Sequence, residues 1–206
     1  MPSVSNFKIY APVEPCNYTG QKLIDTINKL VEERLSENGR ELNMMGCCIG
    51  PNGMKILVQD ERLANVKRLN LGGNKIGDVG AQLLAEALVF SKLGWLELGG
   101  NDIGPEGIDV LVKTATFKKL KTLNLYRNYL KDLGVRIWAE ENCLTDLEEI
   151  DLALNEIGDT GLLALAHSKK FPNLASLCID NNFTSRDAKE IAKQTPNFKK
   201  LQSLNL

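Results

Sequence analysis

The chain has 206 residues, of which 43% are hydrophobic and 25% charged, and it carries a net charge of −1. Those values fit one soluble body and exclude a global electrostatic pull toward nucleic acid or anionic lipid, so either role would need a local patch. No apolar run approaches the ~18 residues of a membrane span, and MPSVSNFKIYAPVEP lacks the basic start and apolar centre of a secretory signal. A soluble, cytoplasmic protein is the expectation.

Residues 1–20 contain Pro2, Pro12 and Pro15, and only FKIY at 7–10 shows the alternation of a short edge strand. From Gln21 to Leu35 the residues Leu23, Ile24, Ile27, Leu30, Val31 and Leu35 form one helical stripe, and Asn38 with Gly39 provides the stop signal. This segment is read as an N-terminal cap, domain 1–38. Beyond it the chain is an array. In VKRLNLGGNKIGDVGAQLLAEALVFSK, residues 66–92, Val66, Leu69 and Leu71 are spaced as a strand face, and Gly72, Gly73 and Asn74 break it. The apolar spacing then becomes helical through Leu83, Leu84, Ala85, Ala87 and Leu88. Asn74 recurs as Asn101, Asn128, Asn155 and Asn182 at an unbroken step of 27 residues, which identifies a solenoid.

One step back from Asn74 lies Cys47, so the first repeat opens with ELNMMGCCIGPNGMKILV. Later repeats begin at Leu93, Leu120, Leu147 and Leu174, and LQSLNL at 201–206 supplies a final strand. The shared pattern LxxLxLxxNxIGxxG followed by a helix resembles the leucine-rich repeat of the ribonuclease-inhibitor type, over residues 39–206. That resemblance implies an α/β fold: a right-handed horseshoe with parallel strands on the concave face and helices on the convex one. In the last full repeat Thr184 stands where isoleucine is expected and Ala188 where glycine is, so its turn is expected to differ.

Each column has a physical reading. The asparagines are expected to turn inward and satisfy backbone groups that the bend removes from the ladder. Glycines 53, 80, 107, 134 and 161 permit close approach of neighbouring coils. Leu63, Phe90, Phe117, Leu144, Phe171 and Phe198 form a stacked apolar spine, and Trp138 belongs to a helix core column.

Little in the chain points to chemistry. His167, the one histidine, falls on a polar helix side, and no serine sits in a GxSxG elbow. The GGN runs at 72–74 and 99–101 lack the lysine and hydroxyl residue of a phosphate loop, and the carboxylate pairs Glu140–Glu141 and Glu148–Glu149 read as solvated charges. No spacing suits a metal, no cofactor is expected, and the five cysteines, an odd set without CxxC spacing, read as reduced thiols.

Function is therefore sought on the outward side of the strands. One outward column runs Glu41, Arg68, Trp95, Thr122, Glu149, Ser176, Ser203, and the other Asn43, Asn70, Glu97, Asn124, Asp151, Cys178, Asn205. Trp95 at an exposed site, with Arg68 on the coil before and Tyr126 and Arg127 on the coil after, makes a candidate interface hot spot. The alternative is an indole covering the glycine pairs 72–73 and 99–100. Glu97, Glu149 and Asp151, with Glu148 and Asp180, make one side acidic and suit a basic partner, while lysines 92, 118, 119, 121, 169, 170, 199 and 200 form a solvated rim. The expectation is a non-enzymatic module that binds a protein partner, with no nucleic acid and no membrane. Regulation of an enzyme, as a GTPase activator or inhibitor using Arg68 and Arg127, is the alternative, with a bacterial effector as one context. LQSLNL stops in mid-repeat, which reads either as a piece of a longer protein or as an edge that pairs with a second copy, so monomer and edge-paired dimer both stay open.

Overall fold

A computed structural model describes residues 14–206; the FKIY strand lies outside them. Seven strands form one sheet in chain order, all parallel: β1 Glu41–Asn43, β2 Arg68–Asn70, β3 Trp95–Glu97, β4 Thr122–Asn124, β5 Glu149–Asp151, β6 Ser176–Cys178 and β7 Ser203–Asn205. Paired residues lie one repeat apart, as in Leu69 with Leu96 and Leu96 with Leu123, so equivalent side chains stack from coil to coil. Helices α1 Gly20–Arg34, α2 Gly50–Leu57, α3 Gly77–Glu86, α4 Pro105–Lys113, α5 Lys131–Glu141, α6 Asp159–His167 and α7 Arg186–Gln194 pack behind the sheet. Strands stack ~4.8 Å apart and helices need 8–10 Å, so the array bends with its sheet on the inner side.

Between the layers runs one apolar core. Central strand residues Leu42, Leu69, Leu96, Leu123, Ile150 and Leu177 are all buried, as are Leu71, Leu98, Leu125 and Leu152 two positions on. Each such side chain contributes roughly 1.5–3 kcal/mol on burial. The spine Leu63, Phe90, Phe117, Leu144, Phe171 and Phe198 is buried throughout, and Trp138 is enclosed with its ring edge-on to Phe171 at 5.8 Å. The indole N–H of Trp138 donates to Asn142 Oδ1 at 3.1 Å, so the buried ring leaves no polar atom unmet. Leu23, Ile27, Leu30 and Val31 of α1 join the same core, which makes the first helix part of the stack.

Two details of the N-terminal unit differ from the sequence reading. Helix α1 ends at Arg34, ahead of Asn38, because Leu35 takes an extended backbone and bridges Leu42 of β1. Ile24, placed on the buried stripe, is 39% exposed.

The asparagine ladder accounts for the turn after each strand. Asn74 Nδ2 donates to Leu71 O at 2.7 Å within its own coil and to Met44 O at 2.8 Å in the coil before. Asn101, Asn128, Asn155 and Asn182 repeat both bonds. Cys47 stands at the same place in the first coil; among the described residues no strand precedes β1 in the sheet, so no earlier strand carbonyl there calls for the donor. In the last full repeat Asn182 keeps its bonds while Ser185 caps α7, accepting from Ala188 N, and Ala188 fills the glycine position.

Candidate functional surface

The open face of the sheet is built from alternate strand residues, and their side chains settle into two rows. In the first row the Arg68 guanidinium lies over the Trp95 ring, 4.4 Å from its centroid, and Arg68 Nε faces Glu41 Oε1 at 3.8 Å. Glu41, Arg68 and Trp95 thus line up across β1, β2 and β3 through the parallel register. A cation over an indole face is attracted by the ring quadrupole, by about 0.5–1 kcal/mol at a partly exposed site. All three residues are half-buried, as are Thr122 and Glu149 further along the row.

The second row behaves differently from its sequence reading. Instead of reaching into solvent, the residue after the central leucine or isoleucine in β1 to β5 folds back and accepts a backbone N–H two residues on. Asn43 accepts from Met45, Asn70 from Gly72, Glu97 from Gly99, Asn124 from Tyr126 and Asp151 from Ala153, at 2.6–3.1 Å. This is the Asx-turn bond, used to leave the strand. Asn43 and Asn70 are buried outright, 8% and 5% exposed, which corrects their placement on the outward face.

Glu97 is the anomaly in that row, because its longer side chain must curl to make the bond that asparagine makes elsewhere. Its Cγ covers Gly72 and its Oε1 packs against Gly99. Burial pushes its carboxyl up from 4.5 to about 7; the Gly99 N–H opposes the shift and Asp151, across Asn124, adds to it. A group whose folded pKa is raised holds a proton that the unfolded chain releases between those two values. Stability from this source is complete below pH 4.5 and is lost as pH rises through about 7. The loss is on the order of 2 kcal/mol for a side chain that keeps some contact with water. Glu97→Gln retains the acceptor for Gly99 and removes the charge, so it should be the more stable protein at pH 8 and equal to the wild type at pH 4. Denaturant unfolding at the two pH values checks this; parallel pH profiles for both proteins would refute it.

Tyr126 and Arg127 do not join Trp95 in its row. They occupy the turn after β4, both exposed, with Tyr126 beside Gly99. Arg127 sits at φ +53 and Leu154 at φ +56, in the column where Gly46, Gly73 and Gly100 take the same left-handed backbone. Asn181 follows at φ +55; a non-glycine residue there costs about 1 kcal/mol, least for asparagine, so three coils keep exposed side chains against a backbone preference for glycine. The sheet face therefore divides into a Glu41–Arg68–Trp95 stack at one end and an acidic half with Glu97, Glu149 and Asp151 beyond it. Small Thr122 and Asn124 on β4 lie between the carboxylates.

Sequence reasoning missed a set of carboxylates on the helical side. Asp78 Oδ1 accepts from Gly104 N at 2.7 Å and Gly107 N at 3.0 Å, capping α4 from the coil before. Asp132 does the same for α6 through Gly158 and Gly161, both at 2.8 Å, and Asp159 takes Ser185 N at 2.6 Å. The recurrence of aspartate at 78, 132 and 159, whole multiples of the repeat apart, was the available signal. His167 is exposed, with Nδ1 2.8 Å from Leu163 O. Among the described residues no three metal-ligating side chains converge, and no helix is long and apolar enough to cross a membrane.

These repeats match a known family. Its model, described as Leucine Rich repeat, covers residues 40–58, 62–85, 96–112 and 143–166, the strand-and-helix units around β1, β2, β3 and β5. The chain is a leucine-rich-repeat solenoid. Among solved structures this solenoid is similar to the tropomodulin C-terminal domain of Caenorhabditis elegans, at 14% identity and TM-score 0.49 over 86% of this chain and 92% of that one. An internalin from Listeria monocytogenes aligns at 20% identity and TM-score 0.33, over 94% and 78% of the two chains. A chain of the yeast Rad7 and Elc1 complex aligns at 10% identity and TM-score 0.32, over 81% and 74%. All three TM-scores fall short of one half, so the assignment rests on the repeats themselves. Among curated proteins none matches this leucine-rich-repeat chain.

Proposed function

We propose that the protein is a non-enzymatic recognition module of the ribonuclease-inhibitor type that seats a protein partner on the open face of its sheet. The observation that carries this reading is the Arg68–Trp95 stack, an aromatic–cation pair held half-exposed on β2 and β3 of a curved parallel sheet. Trp, Tyr and Arg dominate the energy of protein interfaces when a rim excludes water around them. Extended inner surfaces of this shape are the ones solenoids use for binding.

The charge beyond the stack favours a basic partner segment. A lysine or arginine laid over Thr122 and Asn124 would sit between Trp95 and Glu149 in one row and between Glu97 and Asp151 in the other. Pairing with Glu97 would lower that carboxyl from its raised position and release a proton, so affinity should rise from pH 6 to pH 8. Enzyme regulation through a catalytic arginine is the second reading, and it rests on Arg127, since Arg68 is engaged by Trp95 and Glu41.

Affinity capture from the native cell extract, with wild type and Trp95→Ala as parallel baits, tests the proposal. Trp95→Ala should keep the wild-type circular dichroism spectrum and melting curve while its partner is captured at least tenfold less, equivalent to ~1.4 kcal/mol or more. Lowered melting with undiminished capture would make the indole a structural cover and end this reading.

A further inference from the structure

Two of the five cysteines are brought together by the fold although nothing in their spacing pairs them. Cys16 lies on a short 3-10 turn, Pro15–Asn17, ahead of α1, and Cys48 lies in the turn of the first repeat. They are 32 residues apart in sequence, and their sulfurs approach to 2.7 Å. The approach is fixed by backbone. Cys16 N donates to Cys48 O at 2.8 Å, Gly50 N ties the same turn to Asn74 O at 3.0 Å, and a Cβ on Gly50 would already touch Cys16 Cβ at 3.6 Å. Cys48 holds a left-handed φ of +51, which aims its side chain from the turn toward the N-terminal segment.

We propose that Cys16 and Cys48 are a disulfide-forming pair that staples the N-terminal segment and α1 to the first repeat when a low-molecular-weight disulfide, such as oxidised glutathione, is the oxidant. Cys16 is exposed and is the entry point. Its thiol loses a proton to solvent, and the thiolate attacks one sulfur of the oxidant, forming a mixed disulfide and expelling one thiolate that takes up a proton. Cys48 then loses its proton and attacks Cys16 Sγ, forming the Cys16–Cys48 bond and expelling the second small thiolate. Two protein thiols are oxidised, one disulfide is reduced to two thiols, and no proton is left over.

The order of attack is set by the surroundings. Burial and the adjacent Cys16 thiol push Cys48 up to about 11, so it is the poorer first nucleophile at neutral pH and acts once Cys16 is activated beside it. Cys47, next in sequence, is buried in the core with its thiol raised by desolvation, and it stays out of the exchange. Cys143 and Cys178 lie on α5–β5 and β6, coils away from the pair.

The test treats the full chain with oxidised glutathione, blocks remaining thiols with N-ethylmaleimide in denaturant, and maps non-reduced peptides by tandem mass spectrometry. The expected product is a Cys16–Cys48 cross-link, lighter by two hydrogen atoms than the reduced chain and abolished by reductant, with Cys47 alkylated. Closing a loop of this length should raise the melting midpoint of the oxidised chain by about 10 °C, and both Cys16→Ser and Cys48→Ser should erase that increment while leaving the reduced chain's spectrum unchanged. In Cys48→Ser, Cys16 should stop at the stable glutathione adduct. A wild-type chain in which Cys16 also stops at the adduct, or in which Cys47 is the linked residue, overturns the proposal.

Discussion

Replacing Asn128 with alanine is expected to destabilise the protein by about 4 kcal/mol, without altering any exposed surface. Its Nδ2 donates to Leu125 O and Leu98 O at 2.9 and 3.0 Å, and its Oδ1 accepts from Asn101 N and Ile103 N at 3.1 and 3.0 Å. The residue is 2% exposed, so no water replaces these partners. Truncation strands the N–H groups of Asn101 and Ile103, each costing about 1–3 kcal/mol when left unmet, while Leu98 O and Leu125 O each lose one of two donors and keep Asn101 Nδ2 and Asn155 Nδ2. Asn155 provides an internal comparison. Its Oδ1 meets no donor among the described residues, and Leu125 O and Leu152 O keep Asn128 Nδ2 and Asn182 Nδ2, so Asn155→Ala strands no N–H and should cost less than half as much. Urea unfolding of the two variants measures the difference; equal and small losses would show that the ladder is decorative.

Gly107→Ala is expected to cost about 3 kcal/mol, from overpacking and a lost helix cap together. A Cβ at this position would overlap Asp78 Oδ1 and lie 2.8 Å from Ile103 Cγ2 and 3.1 Å from Asp78 Cα. Since Asp78 Oδ1 also holds the amides of Gly104 and Gly107, the methyl group expels the carboxylate that terminates α4. The coils must then separate at α3 and α4. Asp78→Ala removes the cap without the clash, so it should cost about 1 kcal/mol, and the gap between the two variants isolates the steric part. Thermal melting of both proteins checks the order; Asp78→Ala as the costlier change would place the energy in the cap alone.

The coils were legible because one constraint recurs at every repeat. A leucine facing inward at 69 faces inward again at 96 and 123, and an asparagine that must serve two carbonyls cannot drift from its column. The features that escaped depend on side-chain length or on contacts between unlike columns. Glu97 occupies an outward column by count, yet it curls onto Gly99 because the turn needs an acceptor there and glutamate is long enough to return. Asp78 reaches across to Gly104 and Gly107, a pairing that no single repeat contains. Cys16 belongs to no repeat at all, so its meeting with Cys48 could come only from the fold. For the candidate surface, the alternation rule found Arg68 and Trp95 on the same row, whereas Tyr126 and Arg127, one residue or more past the strand, fall in the turn.

On the proposed function, a partner binds the sheet face and not the helical face. Isothermal titration of the partner recovered by affinity capture against Trp95→Ala, Glu149→Lys and Arg136→Ala, the last an exposed residue of α5, tests this most directly. The expected result is at least tenfold weaker binding for Trp95→Ala and Glu149→Lys, and wild-type affinity for Arg136→Ala. Weakened binding by Arg136→Ala with the two sheet-face variants at wild-type affinity would contradict it.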